Sequence, residues 1–413
     1  MAGTEEELPF WMVHNQRGRI LEDSNIAGWI TGRSQYSFKN NSVLEVGAGF
    51  LGRDGDGDNF FVDELYAHYE TKFWSFTGGR KQQEEVYNGL SASNRSILWS
   101  LNARPLPGLQ LKTTRPVFLL KNFGFEAAWE EYLMDDDFLE NVKLHHKSFH
   151  FVYSTTKWDL TLKAGLQHFA QWGGSNFGGE QPESLEDYIR IITGMQGGET
   201  AGVWDQQNAL GNHLGGYELS VWKSFSSFDV ELFYQHLFED GSGRRLGNTP
   251  DGRYGLFVNA KDRSKFINSL MYEFYTTHHQ SHTTSGPHKN DNYFNGNYGG
   301  WAYFGSIVGA PFFSLNEEGS YVINNKFTAH HLGIGGNFSS TLGQHPYRLL
   351  LSYAQNDGTR PVRFEPKQDV FYALYDINLL QKSVDLNLQF AAEYDNYKAP
   401  VYGVGVLVVY RIE

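Results

Sequence analysis

The chain has no cysteine, no surplus of positive charge and no long apolar run. Zero cysteine excludes disulfides, thiol nucleophiles and cysteine-ligated metals. A formal charge of −13 at pH 7 argues against a phosphate-backbone partner, so no nucleic acid is expected. No stretch approaches the ~18 consecutive apolar residues that a spanning helix needs, and mean hydropathy is only −0.47. Also missing are G-x-S-x-G, H-E-x-x-H and a glycine-rich phosphate loop. The acidic runs Glu130-Glu131 and Asp135-Asp136-Asp137 read as lumen lining or solvated loops. No catalytic residue and no cofactor are assigned, and the chain is not expected to be an enzyme. Met1-Ala2-Gly3 runs directly into Thr4-Glu5-Glu6-Glu7 without a secretory signal, so a mature form with a replaced start is expected.

What is abundant is two-sided patterning. In Ser383–Glu393, Val384, Leu386, Leu388 and Phe390 would project from one face and Asp385, Asn387, Gln389 and Glu393 from the other. The same alternation recurs around Trp29–Tyr36, Trp158–Gln167, Phe228–Phe238, Phe266–Phe274, Tyr347–Tyr353 and Tyr402–Ile412. Turn signals such as Asp54-Gly55-Asp56-Gly57 and Asn356-Asp357-Gly358 separate the runs. Two-sided strands recurring over 413 residues suggest a closed transmembrane β-barrel, apolar outward and polar toward a wet lumen. An aromatic content of 16%, with 45 glycines, suits interface girdles and tight turns. The fold class is therefore all-β: a transmembrane antiparallel β-barrel of the bacterial outer membrane. Residues 1–25 read as an N-terminal periplasmic segment, and 26–413 as one barrel with long extracellular loops at 239–254 and 277–300. The segment 117–142 stays open between strand and short helix.

One insertion breaks the pattern. Leu185, Tyr188, Ile189 and Ile192 stand at helical spacing behind Pro182 and acidic first-turn residues, with Gly194 after them. A short helix at 182–193 is expected to pack on the barrel rim or to plug one end. The cluster His278-His279-Gln280-Ser281-His282, with His288 nearby, would need converging imidazoles to hold a metal. A polar loop is the plainer reading. In His145-His146 and His330-His331 neighbouring side chains point to opposite faces, and no metal site is assigned.

Asn290–Phe304 is the segment best suited to sugar. Asp291 and Asn295 could bond hydroxyls while Tyr293, Trp301 and Tyr303 offer flat apolar faces. The rings could equally belong to an interface girdle. Arg244, Arg245 and Arg253 could meet acidic sugars or lipopolysaccharide phosphates. A porin or solute channel, with Asp385, Asn387, Gln389 and Glu393 on its path, is the alternative, and a structural subunit of a larger outer-membrane complex is another.

Several segments resemble the Wzi-type capsule assembly family of outer-membrane proteins, in the branch seen in Bacteroidetes-like bacteria. They are Pro9-Phe10-Trp11 with Asn15–Arg19, Gly165–Gly174, Asn208–Gly215, Asp251–Leu256, Asp291–Asn295, Gly299-Gly300-Trp301 and Gly309-Ala310-Pro311, in that order. The resemblance implies a barrel of about 18 strands with helical insertions that block free passage. It implies a lectin role, holding capsular or other surface polysaccharide and supporting capsule assembly, with that polysaccharide, outer-membrane lipid and other envelope proteins as partners. It carries over no residue-level binding site.

Overall fold

A computed structural model describes residues 1–281, 291–341 and 343–412. The alternating segments become strands of one antiparallel sheet: β1 (Ala2–Gly3), β2 (Ala27–Ser37), β3 (Val43–Arg53), β4 (Phe60–Glu70), β5 (Trp74–Arg80), β6 (Pro107–Thr113), β7 (Phe123–Leu133), β8 (Lys143–Thr155), β9 (Leu160–Trp172), β10 (Asn212–Ser224), β11 (Phe228–Phe238), β12 (Gly252–Ala260), β13 (Ser269–Thr276), β14 (Phe327–Ser340), β15 (Gly343–Gly358), β16 (Arg363–Gln381), β17 (Val384–Asp395) and β18 (Val401–Tyr410). Among the described residues the sheet counts nineteen strands when the two-residue Val117–Phe118 pairing on β7 is included. Each strand from β2 onward pairs with its successor in sequence, a meander that needs only hairpin connections. The segment left open at 117–142 resolves largely as strand β7.

The two ends of the meander meet through the N-terminus. Ala2 and Gly3 pair with Val404 and Gly403 of β18, and the Met1 amino group donates to Asn25 O at 2.6 Å, just before β2. The wall therefore surrounds a lumen, and segment 90–97 touches β9, β11, β13 and β14 from inside, through Gln167, Gln235, Glu273 and His331. Outward side chains form an exposed apolar belt; on β18 Val404, Val406 and Val408 are 50–60% exposed while Val401 and Gly403 are buried. On β17 Val384 and Phe390 are exposed and Asp385 and Glu393 buried, as the alternation requires. Among the described residues no helix is long and apolar enough to cross a membrane; the strands do the crossing.

Short turns, such as Lys382–Ser383, lie on one rim. The connections 81–106, 134–142, 173–211 and 239–251, and the described residues of 277–326, lie on the other. Residues 4–26 leave β1 at that long-connection rim and turn into the lumen, so the segment expected as periplasmic lies with the long loops and within the same core. The helical insertion is α1's larger counterpart: α1 is Phe10–Val13, inside the lumen, and α2 is Leu185–Thr193. The Ser184 side chain and Asp187 cap α2 reciprocally, and Gly194 ends it in the left-handed region at φ 66°. α2 packs on the outer wall at the rim. It does not enter the lumen, and the blockage expected from helical material is made by other segments.

Candidate functional site

The lumen is filled on its long-connection side by three chain segments. The first, 81–106, shows neither strand nor helix periodicity, because its apolar residues (Leu90, Ile97, Leu98, Leu101, Leu106) are interleaved with buried Ser and Asn. Such a segment needs partners for its backbone, and the barrel wall supplies them. Arg253 on β12 and Glu273 on β13 form a buried ion pair, with Nε to Oε1 at 2.8 Å. The remaining guanidinium donors go to Gln235 Oε1 at 2.9 Å and Asn94 O at 2.9 Å, and Glu273 accepts from Ala92 N at 2.7 Å and Ser91 Oγ at 2.8 Å. Burying two charges costs several kcal/mol per ion unless every lone pair and proton finds a partner, and here the plug itself completes the set. His331 Nε2 donates to Leu90 O at 2.8 Å, which leaves Nδ1 to accept from Ser352 Oγ at 2.7 Å. At Gly333 an added Cβ would lie 2.3 Å from Leu90 O, so a side chain there would push the plug off the wall.

The second segment, 291–326, supplies half of the buried aromatic rings of the core. Trp301 Nε1 donates to Leu98 O at 2.6 Å, Phe294 and Phe313 pack with centroids 4.0 Å apart, and Phe169 of the wall meets Trp301 at 5.4 Å. The third is the N-terminal segment. Phe10 stacks on Tyr372 at 3.9 Å and its N–H donates to Glu393 at 3.1 Å. Asn15 Nδ2 reaches Ala92 O at 2.7 Å, and His14 Nδ1 meets Asn102 Oδ1 at 2.9 Å. Burial holds the His14 imidazole down to about 4, so it stays neutral.

This packing corrects the expected presentation of the sugar-facing residues. Tyr293, Trp301 and Tyr303 are 0–1% exposed, so none offers a ring face to solvent. Tyr293 instead donates its hydroxyl to Asp251 Oδ2 at 2.7 Å, and Arg80 Nη2 donates to Tyr303 OH at 3.3 Å. Asp291 is buried and accepts from Glu239 N at 2.8 Å, Asp240 N at 3.1 Å and Ser281 Oγ at 2.5 Å. Burial outweighs those bonds and pushes its carboxyl up to about 6. Arg253 is a plug anchor. Only Arg244 and Arg245, exposed on the short helix Gly241–Arg244 and its cap, and half-buried Asn295 keep access to solvent. For Asp291, Tyr293, Trp301 and Tyr303 the physical reason is shared: a long connection with this many apolar rings finds more area to bury inside the barrel than above it. Arg253 is buried because β12 turns it inward onto Glu273.

The histidine pairs alternate as expected. His145 and His330 face outward, to Glu131 and Tyr272, while His146 and His331 face the lumen. His282 and His288 lie outside the described residues, and among those described no three His, Asp or Glu side chains converge as a metal site. What sequence reasoning missed is the plug 81–106; its one signal was apolar residues spaced irregularly among serines and asparagines.

Between the plug and the short-turn ends of the strands lies a cavity of about 1300 Å³. Its walls carry paired charges, among them Lys112–Glu130 at 2.7 Å, Lys81–Glu45 at 3.0 Å and Arg33–Glu64 at 3.1 Å. Trp99 stands at its ceiling beside Tyr132, 5.0 Å between centroids. The lumen is thus packed toward its long-connection side and holds a charge-lined cavity on the other.

A family model described as capsule assembly protein Wzi matches residues 5–332. Wzi of Escherichia coli, described as an outer-membrane protein involved in group 1 capsule assembly and as a carbohydrate-binding β-barrel, superposes with a TM-score of 0.58 at 14% identity, over 93% of this chain and 84% of that one. OccAB4 of Acinetobacter baumannii (TM-score 0.49, 10% identity, 93% and 90% covered) and OpdQ of Pseudomonas aeruginosa (0.48, 9%, 93% and 90%) are also similar. No curated sequence relative matches. With the model covering more than half of its length, the chain belongs to the capsule assembly protein Wzi family.

Proposed function

We propose that this barrel sits in the bacterial outer membrane, binds surface polysaccharide at its long-connection rim, and so supports capsule assembly. It acts as a binding protein and not as an enzyme. The observation that carries this reading is the packed plug: a lumen filled at its long-connection side by three interlocked segments is suited to present a rim rather than to pass solute. Family membership and the carbohydrate binding described for the Escherichia coli relative support it. On the rim, Arg244, Arg245 and Asn295 are the expected sugar contacts that remain accessible, and Tyr321, 54% exposed in the same connection as Asn295, has a ring free to stack. The buried Asp291, Tyr293, Trp301, Tyr303 and Arg253 hold that surface in place. The two arginines suit acidic sugars or lipopolysaccharide phosphates. Deleting the gene should strip polysaccharide from the cells while its release into the medium continues. Unchanged cell-associated polysaccharide would overturn the proposal.

The charge-lined cavity favours a second reading, a gated solute channel. Purified protein in planar bilayers separates the two: a plugged barrel gives little or no stable current, and a steady open conductance would favour the channel. Fixed-stoichiometry co-purification with another envelope protein would point instead to a subunit of a larger assembly.

A further inference from the structure

The outer wall beneath α2 is polar where a membrane barrel is usually apolar. Cross-strand registers on β7–β10 define outward-facing rows. Phe125–Phe151–Ala164–Leu219 and Ala127–Phe149–Leu166–Tyr217 are apolar, with Phe151 68% and Leu219 54% exposed. The next two rows toward the rim are Trp129–Lys147–His168–Gly215 and Glu131–His145–Ala170–His213. His145 Nδ1 meets Glu131 Oε1 at 2.7 Å and His168 Nε2 meets His213 Nδ1 at 2.8 Å. The Nε2 of His145 and the Nδ1 of His168 are buried without a partner. Set against hydrocarbon, such groups would cost several kcal/mol each.

α2 covers them. Tyr188 and Ile191 face the wall; Ile191 is fully buried against Ala170 and Trp172, and the Tyr188 ring lies 5.3 Å from Trp172. Tyr188 OH donates to Glu131 and accepts from Trp129 Nε1 at 3.3 Å, and Lys147 Nζ donates to Ile192 O at the helix C-terminus. At ~100° per residue, Leu185, Ile189 and Ile192 then run together along one flank, and Glu186 and Arg190 along the other, ion-paired at 2.6 Å. Leu185 is 76% and Ile189 49% exposed, and Met195, just beyond the helix, is exposed as well. A helix with a wall-facing stripe, an exposed apolar flank and a charged flank has the form of an interfacial membrane helix.

We infer that α2 and the segment after it form a lipid-binding shelf on the outside of the barrel, with Leu185, Ile189 and Met195 set among the acyl chains of the leaflet on the long-connection side. The occupant follows from continuity: the exposed flank adjoins rows that already face lipid, and the same helix keeps two polar rows out of it. The shelf stands independently of what the rim binds.

Because the chain has no cysteine, Ile189→Cys and Glu186→Cys each give a unique site for a nitroxide. In phosphatidylcholine proteoliposomes at high lipid-to-protein ratio, the label at 189 should collide more with oxygen than with a water-soluble nickel chelate, and the ratio should invert at 186. Equal access of the chelate to both labels would overturn the shelf. So would spin–spin broadening at 189, which would mean that a second copy covers the flank. Folding of each variant is checked by its heat-modifiable gel mobility.

Discussion

Two insertions leave the wall at the same rim and go to opposite sides of it. The 173–211 connection folds α2 onto the outside; the 81–106 connection turns inward and plugs the lumen. Each answers a need of the wall it covers. Outside, an amphipathic helix covers the polar side chains of Glu131 and its neighbours on the outer wall. Inside, a segment rich in serine and asparagine satisfies the buried Arg253–Glu273 pair and brings its own leucines into a dry core. The destination is set by which chemistry the wall leaves unfinished, not by the apolar content of the insertion.

That contrast can be broken from the inside first. Arg253→Ala leaves Glu273 buried without its partner, and breaking such a pair costs about 3–5 kcal/mol. The expected outcome is a large loss of thermal stability in detergent together with appearance of single-channel current as 81–106 detaches. The paired change Arg253→Met with Glu273→Gln should recover much of the stability, since no charge is left buried alone. Trp301→Ala should come next, removing one of the two fully buried tryptophans of the plug core at about 3–5 kcal/mol by cavity formation, read as the same melting shift with a smaller current. A melting point unchanged by both would mean that the plug is not part of the cooperative fold.

The outer element should respond locally. Ser184→Ala removes the α2 cap at a cost of about 1 kcal/mol, and hydrogen exchange should quicken in 185–193 while the strands keep their protection. The third lever is pH. The Asp291 carboxyl, pushed by burial to about 6 from an ordinary value near 4, binds its proton more tightly in the folded protein. Its contribution is complete below the ordinary value and is lost as pH rises through about 6. Glu239, raised by burial and by the neighbouring Asp291 and Asp240, acts in the same direction. Tryptophan emission should therefore report a tighter loop at mild acid than at pH 7, and Asp291→Asn should abolish most of the difference. The smallest effect on stability is expected from Arg244→Ala with Arg245→Ala, within about 0.5 kcal/mol for exposed positions. Glycan-array binding of an acidic polysaccharide should nonetheless fall, and binding equal to that of the unaltered protein would remove these two residues from the site.

The alternation at Val384–Glu393 carried the strand and its two faces in the sequence itself, and the spacing of Leu185, Tyr188 and Ile192 carried the helix. Both are local: a period of two or of 3.6 is imposed by the backbone whatever lies across the sheet. Trp301 and Tyr293 were legible as aromatic loop residues, but their burial was not, since it depends on Leu98 and Asp251 arriving from other parts of the chain. Arg253 shows the limit most plainly. It was expected on the loop 239–254; nothing near it announces its inward-facing place on β12 or the partners Ser91, Asn94 and Glu273.

What the sequence alone determined, then, is the barrel: that two-sided strands recur along the chain, and which face of each meets lipid. Only the tertiary structure decided what fills the lumen, which side of the wall each insertion occupies and which loop residues remain on the surface. Alternation is written residue by residue, whereas burial is a property of segments distant in sequence that meet in space, and no periodicity records which of them will meet.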